Sequence, residues 1–430
     1  MPKALVLGGY GLIGAACMDA LHKAGFEVTG VGRSATAAAR FPQYAWKYLD
    51  VTELTPHQWR ALLEDFKVVV NASGALQDSA KDNLQALHVD VLCHLAEAAT
   101  ETRTRIIQIS AAGVSLSADT AFFRTKAEGD AILASSASDH VILRPTLVLG
   151  QEAYGGSALL RALAAMPTVM PRVFKHSPVQ TVALEDVAAA VVRATREDIP
   201  SGTVADLTEA ESQSFDSLAL SMRAWLGLPC PKWRPQLPKA TLTMTAKIAD
   251  ILGRFGWRAP LRSTSLKVLA GGIQGNPEPW QKLSGQTCAP LKTTLQSTPA
   301  TAQDRIAARV YLAIPLAIAT LSLFWLLSGI IGLLQLQQAA EVLTHTGTPQ
   351  ALAMCAVIGG GIADILLGIG ILFRRHTRLA ALGMIALSLS YLAGAAVLTP
   401  ALFADPLGPM VKVLPGITLA ALVALLMEDR

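Results

Sequence analysis

The chain has 430 residues, of which 52% are hydrophobic and only 16% charged, with a formal net charge of +4. That length implies about two or three domains, the apolar excess excludes a wholly water-soluble protein, and so small a charge gives no reason to invoke nucleic acid. Five cysteines, Cys17, Cys93, Cys230, Cys288 and Cys355, show no paired metal or redox spacing; reduced thiols suit them, and no metal site is expected.

Lys3 to Leu7 is a short apolar run of strand type, and it breaks at once into Gly8-x-x-Gly11-x-x-Gly14. A helix-length segment, Leu12 to Ala24, follows without a linker. In that order the glycines have a physical role. Gly8 permits the strand-to-helix turn, Gly11 lets the backbone approach a pyrophosphate, and Gly14 lets the helix pack hard on the strand. The helix dipole and the amides of Leu12, Ile13 and Gly14 then face the phosphates. Further strands are expected at Glu27–Val31, Trp46–Leu49, Lys67–Val70, Arg105–Ile109 and Val141–Leu143, with helical patterns at Pro56–Glu64, Lys81–Thr100 and Ala121–Ala134. This alternation predicts an α/β, doubly wound Rossmann-type parallel sheet over residues 1–205.

Ligands in such sheets bind beyond the carboxyl ends of the strands. The second strand ends Gly30-Val31-Gly32-Arg33-Ser34, with an arginine where an acid would accept the ribose hydroxyls of NAD. Arg33 suits a 2′-phosphate, so NADP(H) is favoured over NAD(H). Asp50, followed by Val51, is placed to accept a hydrogen bond from the adenine amino group. The fourth strand ends in the small residues Asn71-Ala72-Ser73-Gly74, and the fifth in Ser110-Ala111-Ala112-Gly113.

These features, with Arg144-Pro145-Thr146-Leu147-Val148-Leu149-Gly150 and Gln180 to Ala188, resemble the short-chain dehydrogenase/reductase superfamily in its extended or atypical branch. The resemblance implies a cofactor site that includes Pro145, and a Tyr-x-x-x-Lys pair on the helix after the fifth strand. In that pair the tyrosine serves as acid or base, the lysine holds the nicotinamide ribose, and a serine orients the carbonyl. Here Lys126 and Ser110 match, but the tyrosine position is Phe122. A phenyl ring transfers no proton. Tyr154, after Gly150, is the tyrosine nearest the expected substrate cleft. Two readings follow: an oxidoreductase whose acceptor needs little acid help, such as a quinone-like or lipophilic substrate, or a dinucleotide-binding sensor, assembly factor or scaffold without turnover.

Residues 206–300 form an expected substrate-side region, with a helix at Ser214–Leu226, a proline-rich stretch at Leu228–Pro238 and an Arg254, Arg258, Arg262 cluster suited to anionic head groups. Leu291–Asp304 reads as a linker. Residues 301–430 resemble the DoxX-like four-helix membrane domain, marked by Asp405-Pro406-Leu407-Gly408-Pro409 and the residues up to Pro415. Its expected spans are 310–334, 351–372, 379–398 and 411–427, each near the roughly 20 residues that cross a bilayer. Arg305 and Arg309 precede the first span and Arg374-Arg375-His376-Thr377-Arg378 joins the second to the third, whereas Gln335–Gln350 and Thr399–Pro409 carry no Lys or Arg. Positive charge stays inside, so both termini and the nucleotide domain are expected on the cytoplasmic side of an inner membrane. No signal peptide precedes the first strand. Asp364, after Gly359-Gly360-Gly361, stands within the second span, with Lys412 as its candidate partner.

Overall fold

The computed structural model describes residues 1–78, 82–257, 262–406 and 408–427, without the side chain of Arg254. Arg258 and Leu407, both singled out above, lie outside the described residues, as does the side chain of Arg254. The chain forms two compact units, Met1–Asp250 with Ala259–Ala308, and Ile251–Arg258 with Arg309–Arg430.

The first unit is built on seven strands: β1 (Lys3–Leu7), β2 (Glu27–Gly32), β3 (Ala45–Tyr48), β4 (Val68–Asn71), β5 (Arg105–Ile109), β6 (His140–Pro145) and β7 (Thr203–Leu207). They pair in the order β3-β2-β1-β4-β5-β6-β7, and every pairing is parallel. The strand order reverses between β1 and β4, which opens the crevice where such sheets take ligands. The central strands are valine- and isoleucine-rich because both faces are covered. On one face α1 (Leu12–Lys23) contributes Cys17, Met18 and Leu21 to the core. The other face meets α2 (Pro56–Leu63), α3 (Val91–Thr102) and α4 (Ala121–Ser135) through Trp59, Leu62, Leu92, Leu95 and Leu133. Burying each of these large side chains contributes about 1.5–3 kcal/mol.

The expected strand and helix positions agree with these elements to within a few residues, but β7 lies beyond the six strands expected. The helix expected over Lys81–Thr100 is split: Ala86–Asp90 is a π-helical turn that leads into α3. Such turns are rare and recur at functional sites. Lys81 lies outside the described residues.

Further along run α5 (Gly156–Ala164), α6 (Leu184–Ala194), α7 (Phe215–Trp225), α8 (Lys239–Arg254), α9 (Ser263–Gly271) and α10 (Leu291–Ser297). Helix α6 joins α1 on its face of the sheet through Val187 and Val191. Leu147–Leu149 pairs in parallel with Thr181–Ala183 as a small second sheet. Helix α7 starts where Ser214 accepts the Ser217 amide at 3.1 Å. Leu291–Asp304 is not a loose linker: α10 buries Leu291 and Thr294, and Asp304 forms an ion pair with buried Arg161 at 3.0 Å. Of the arginine cluster, Arg262 pairs with Asp250 at 3.0 Å.

In the second unit α11 (Ala302–Leu334), which begins in the first unit, is followed by α12 (Leu336–Thr344), α13 (Gln350–Gly370), α14 (Thr377–Leu398) and α15 (Val413–Leu426). Among the described residues three helices, α11, α13 and α14, are long and apolar enough to cross a membrane. The fourth expected span is helical over 14 residues, about 21 Å of rise against a hydrocarbon core of about 30 Å. The stretch expected as a loop before the second span contains helix α12.

Asp364 does not meet Lys412. It accepts hydrogen bonds from Ser328 Oγ on α11 and Tyr391 Oη on α14, each at 2.8 Å. Gly361 and Gly329 let α11 and α13 approach closely beside this clamp.

Gly129, on α4, sits where an added Cβ would stand 2.0 Å from the His88 carbonyl oxygen of the π turn. Gly129→Ala is expected to push α4 off that turn and cost about 1–3 kcal/mol. Thermal unfolding of the full chain in detergent reads this as a lowered first transition.

Candidate functional site

The glycine turn has the expected geometry. Gly8 adopts φ +72°, and a Cβ on Gly14 would stand 2.2 Å from the Gly8 carbonyl oxygen. The Gly8 and Gly9 amides both donate to Val31 O, at 3.0 and 3.1 Å, tying the turn to β2. Gly11 caps α1 in extended conformation. The amides of Leu12, Ile13 and Gly14 begin the helix with no carbonyl one turn back to accept them, so they point as anion donors into the crevice beyond β1 and β4.

At the end of β2 the Arg33 amide donates to Tyr10 Oη at 3.2 Å, and the Tyr10 ring lies over Gly32 and stacks on Trp46. The Arg33 guanidinium pairs with Asp82 at 2.6 Å and Asp50 at 3.4 Å. Asp50 also accepts the Thr52 amide and hydroxyl, and these bonds with Arg33 outweigh its burial and hold its pKa below the usual value. Val51 is buried in the core beneath it. Asp82 gave no signal in the sequence, because only the fold brings its loop to Arg33.

At the end of β4 Asn71 donates to Gln108 at 2.8 Å and accepts both the amide and the hydroxyl of Ser73. The Ala72 amide donates to Leu7 O at 3.1 Å. This fixes a small-residue floor beside the glycine turn. A Cβ on Gly74 would lie 3.7 Å from both Lys126 Nζ and His88 Nε2, so these two side chains converge on the open edge of that floor.

Lys126 is buried and donates to Ile109 O at 2.8 Å. Burial pulls its pKa down from 10.5 to about 8, opposed by the charge of Asp130. Asp130, one helical turn on, is 2% exposed. It accepts the Ser110 hydroxyl at 2.8 Å and pairs with Arg144 at 2.8 Å, while its Oδ1 is buried without a partner among the described residues. Burial raises the Asp130 pKa, against the opposing effect of Arg144 and of the Ser110 hydrogen bond. Pro145 ends β6 and takes the Ala112 amide at 3.0 Å.

Phe122 stands one turn before Lys126, with its ring edge-on to His88 at 5.8 Å. His88, on the π turn, is the residue that sequence reasoning missed. Its Nδ1 lies 2.9 Å from Thr125 Oγ1, and Nε2 accepts the Ala75 amide at 3.4 Å. Burial, helped by the Lys126 charge, brings its pKa down to about 3. It is therefore a neutral imidazole at any ordinary pH. Tyr154 is 56% exposed in the loop before α5, and its hydroxyl has no hydrogen-bond partner among the described residues. The structure does not bring it to Ser110 or Lys126. Among the described residues no group of His, Cys, Asp and Glu is placed to hold a metal ion.

The fold and this crevice define a Rossmann-type dinucleotide-binding protein with a helical membrane unit. The chain carries an NAD(P)H-binding family domain, matched over residues 8–198, and a DoxX-like family domain, matched over residues 322–421. Among solved structures it is similar in fold to the enzyme WbmG from Bordetella bronchiseptica in complex with NAD, with 16% identity and a TM-score of 0.53 over 71% of this chain and 95% of that one. WbmH from the same organism, in complex with NAD+, gives 18% identity and a TM-score of 0.53 over 71% and 99%. The protein gox2253 gives 17% and 0.53 over 72% and 99%. No curated protein sequence matches the chain.

The depressed Lys126 pKa sets a pH expectation. Its ammonium donor is present below about pH 8 and lost above it. Affinity for the anionic dinucleotide should therefore fall as pH rises through about 8, and Lys126→Met should flatten that fall. Fluorescence titration with NADPH across pH reads both. The same shift lowers folding stability as pH drops from 10.5 towards 8, because the unfolded chain takes up the proton first.

Proposed function

We propose that the protein is a membrane-anchored NAD(P)H-dependent oxidoreductase of the atypical short-chain type, acting on a lipophilic or quinone-like acceptor. The observation that carries this reading is Lys126 converging with His88 on Gly74, one turn from a phenylalanine that stands where a proton-donating tyrosine would. Lys126 would hold the nicotinamide ribose. Hydride would then pass to an acceptor that develops little oxyanion charge or takes its proton from water. A cleft at the start of α4, lined by Asp119, Thr120, Phe123, Lys267, Val268 and Gln274, would offer such an acceptor a place of mixed apolar and charged character. The DoxX-like unit would hold the domain at the membrane, with the arginine-bearing loop between α13 and α14 on the cytoplasmic side.

NADP(H) is the proposed cofactor, with Arg33 meeting the 2′-phosphate in place of its present partner Asp82. Asp50 would turn to the adenine. Arg33→Asp should reverse the preference towards NADH, and Asp82→Asn should strengthen NADPH binding by freeing the guanidinium from competition. Paired NADPH and NADH titrations measure the ratio; an unchanged ratio in both variants would remove Arg33 from the site.

A second reading, dinucleotide binding without turnover as a sensor or scaffold, is favoured by one observation: the Ser110 hydroxyl donates its hydrogen bond to Asp130, and Phe122 has no proton to give. Phe122→Tyr separates the two. With an acceptor that tolerates the absence of an acid, wild type should oxidise NADPH, and the tyrosine variant should gain activity on simple carbonyls by about 100-fold or more, the scale of a placed general acid. Binding without oxidation in either form would establish the second reading.

A further inference from the structure

Helix α8 presents an apolar stripe to solvent. Met244, Ile248 and Ile251 follow one another at helical spacing and are 60%, 51% and 54% exposed. The opposite face is occupied by Ala246 and Ala249, both buried. The helix cannot roll to hide the stripe, because Asp250 is gripped by Arg262 Nε at 3.0 Å and by the Ser263 hydroxyl at 2.5 Å. Lys239 and Lys247 are exposed along the same helix.

Just beyond α8 the chain is fastened to the end of a span. The Phe255 ring meets Phe373 at 4.8 Å, Trp257 Nε1 donates to Leu372 O at 2.6 Å, and the Arg374 amide donates to Phe255 O at 3.1 Å. Leu372, Phe373 and Arg374 follow α13, and Arg374-Arg375 are charges that do not enter hydrocarbon. That point of the chain is therefore fixed at the level of the bilayer surface, where tryptophan is at home.

We propose that α8 lies in the head-group region of the bilayer crossed by α11, α13 and α14, with Met244, Ile248 and Ile251 turned into the acyl boundary. Its lysines then reach back to lipid phosphates, as in other interfacial amphipathic helices. The continuity with the Phe255–Trp257 anchor selects lipid over a second protein copy. The role is a second, in-plane attachment of the chain to lipid.

The test uses the full chain with Cys93, Cys230, Cys288 and Cys355 exchanged for alanine, in vesicles of phosphatidylcholine with a minor share of phosphatidylglycerol. An NBD fluorophore is placed at Ile248→Cys, and at Thr243→Cys, an exposed position off the stripe. The label at 248 should emit blue-shifted light and be quenched several-fold more by doxyl-labelled phosphatidylcholine than the label at 243. Met244→Cys repeats the reading should Ile248→Cys fold poorly. Equal, water-like emission and equal iodide quenching at both positions would overturn the proposal. A blue-shifted label that doxyl lipid does not reach, and that turns water-like when protein is diluted in the vesicles, would assign the stripe to a second copy and equally overturn it.

Discussion

The contact between Gly14 and the Gly8 carbonyl is the constraint on which the nucleotide unit depends. An added Cβ at residue 14 would stand 2.2 Å from that oxygen, so only glycine lets α1 start directly over the end of β1. The left-handed φ of Gly8 makes the turn, and the pair of bonds from Gly8 and Gly9 to Val31 O locks it to the neighbouring strand. With the turn fixed, the dipole and open amides of α1 aim at the switch point between β1 and β4. The strand ends that carry Asn71, Ser110 and Pro145 then surround the same crevice.

Electrostatics divide that crevice into two ends. At one end, beyond β2, the Arg33 guanidinium is held by Asp82 and Asp50. At the other end Lys126 is buried beside the neutral His88 imidazole, and burial brings its pKa down to about 8. Asp130 binds both Ser110 and Arg144, so one carboxylate holds the ends of β5 and β6 in register with α4.

What the sequence made legible was local. The glycine turn, the first strands and their helices, and the Phe122–Lys126 spacing are all carried by short-range patterns, and the structure places them within a few residues. What escaped was set by tertiary approach. Asp82 meets Arg33 from 49 residues away. His88 reads as an ordinary helical residue until a π turn swings it towards Gly74. Asp364 reads as needing a cation, whereas two hydroxyls on neighbouring helices satisfy it. Polar but packable segments misled in the same way: Leu291–Asp304 and the residues of α12 lack the long apolar runs that announce helices, yet α10 buries Leu291 and α12 buries Ala340.

The most direct test of this account is a cryo-EM map of the full chain in a lipid nanodisc with NADPH bound. The pyrophosphate should lie on the amides that open α1, and the nicotinamide ribose should stand within hydrogen-bond reach of Lys126 beside Gly74. Density for the dinucleotide elsewhere, or a crevice that stays empty at saturating NADPH, would contradict it.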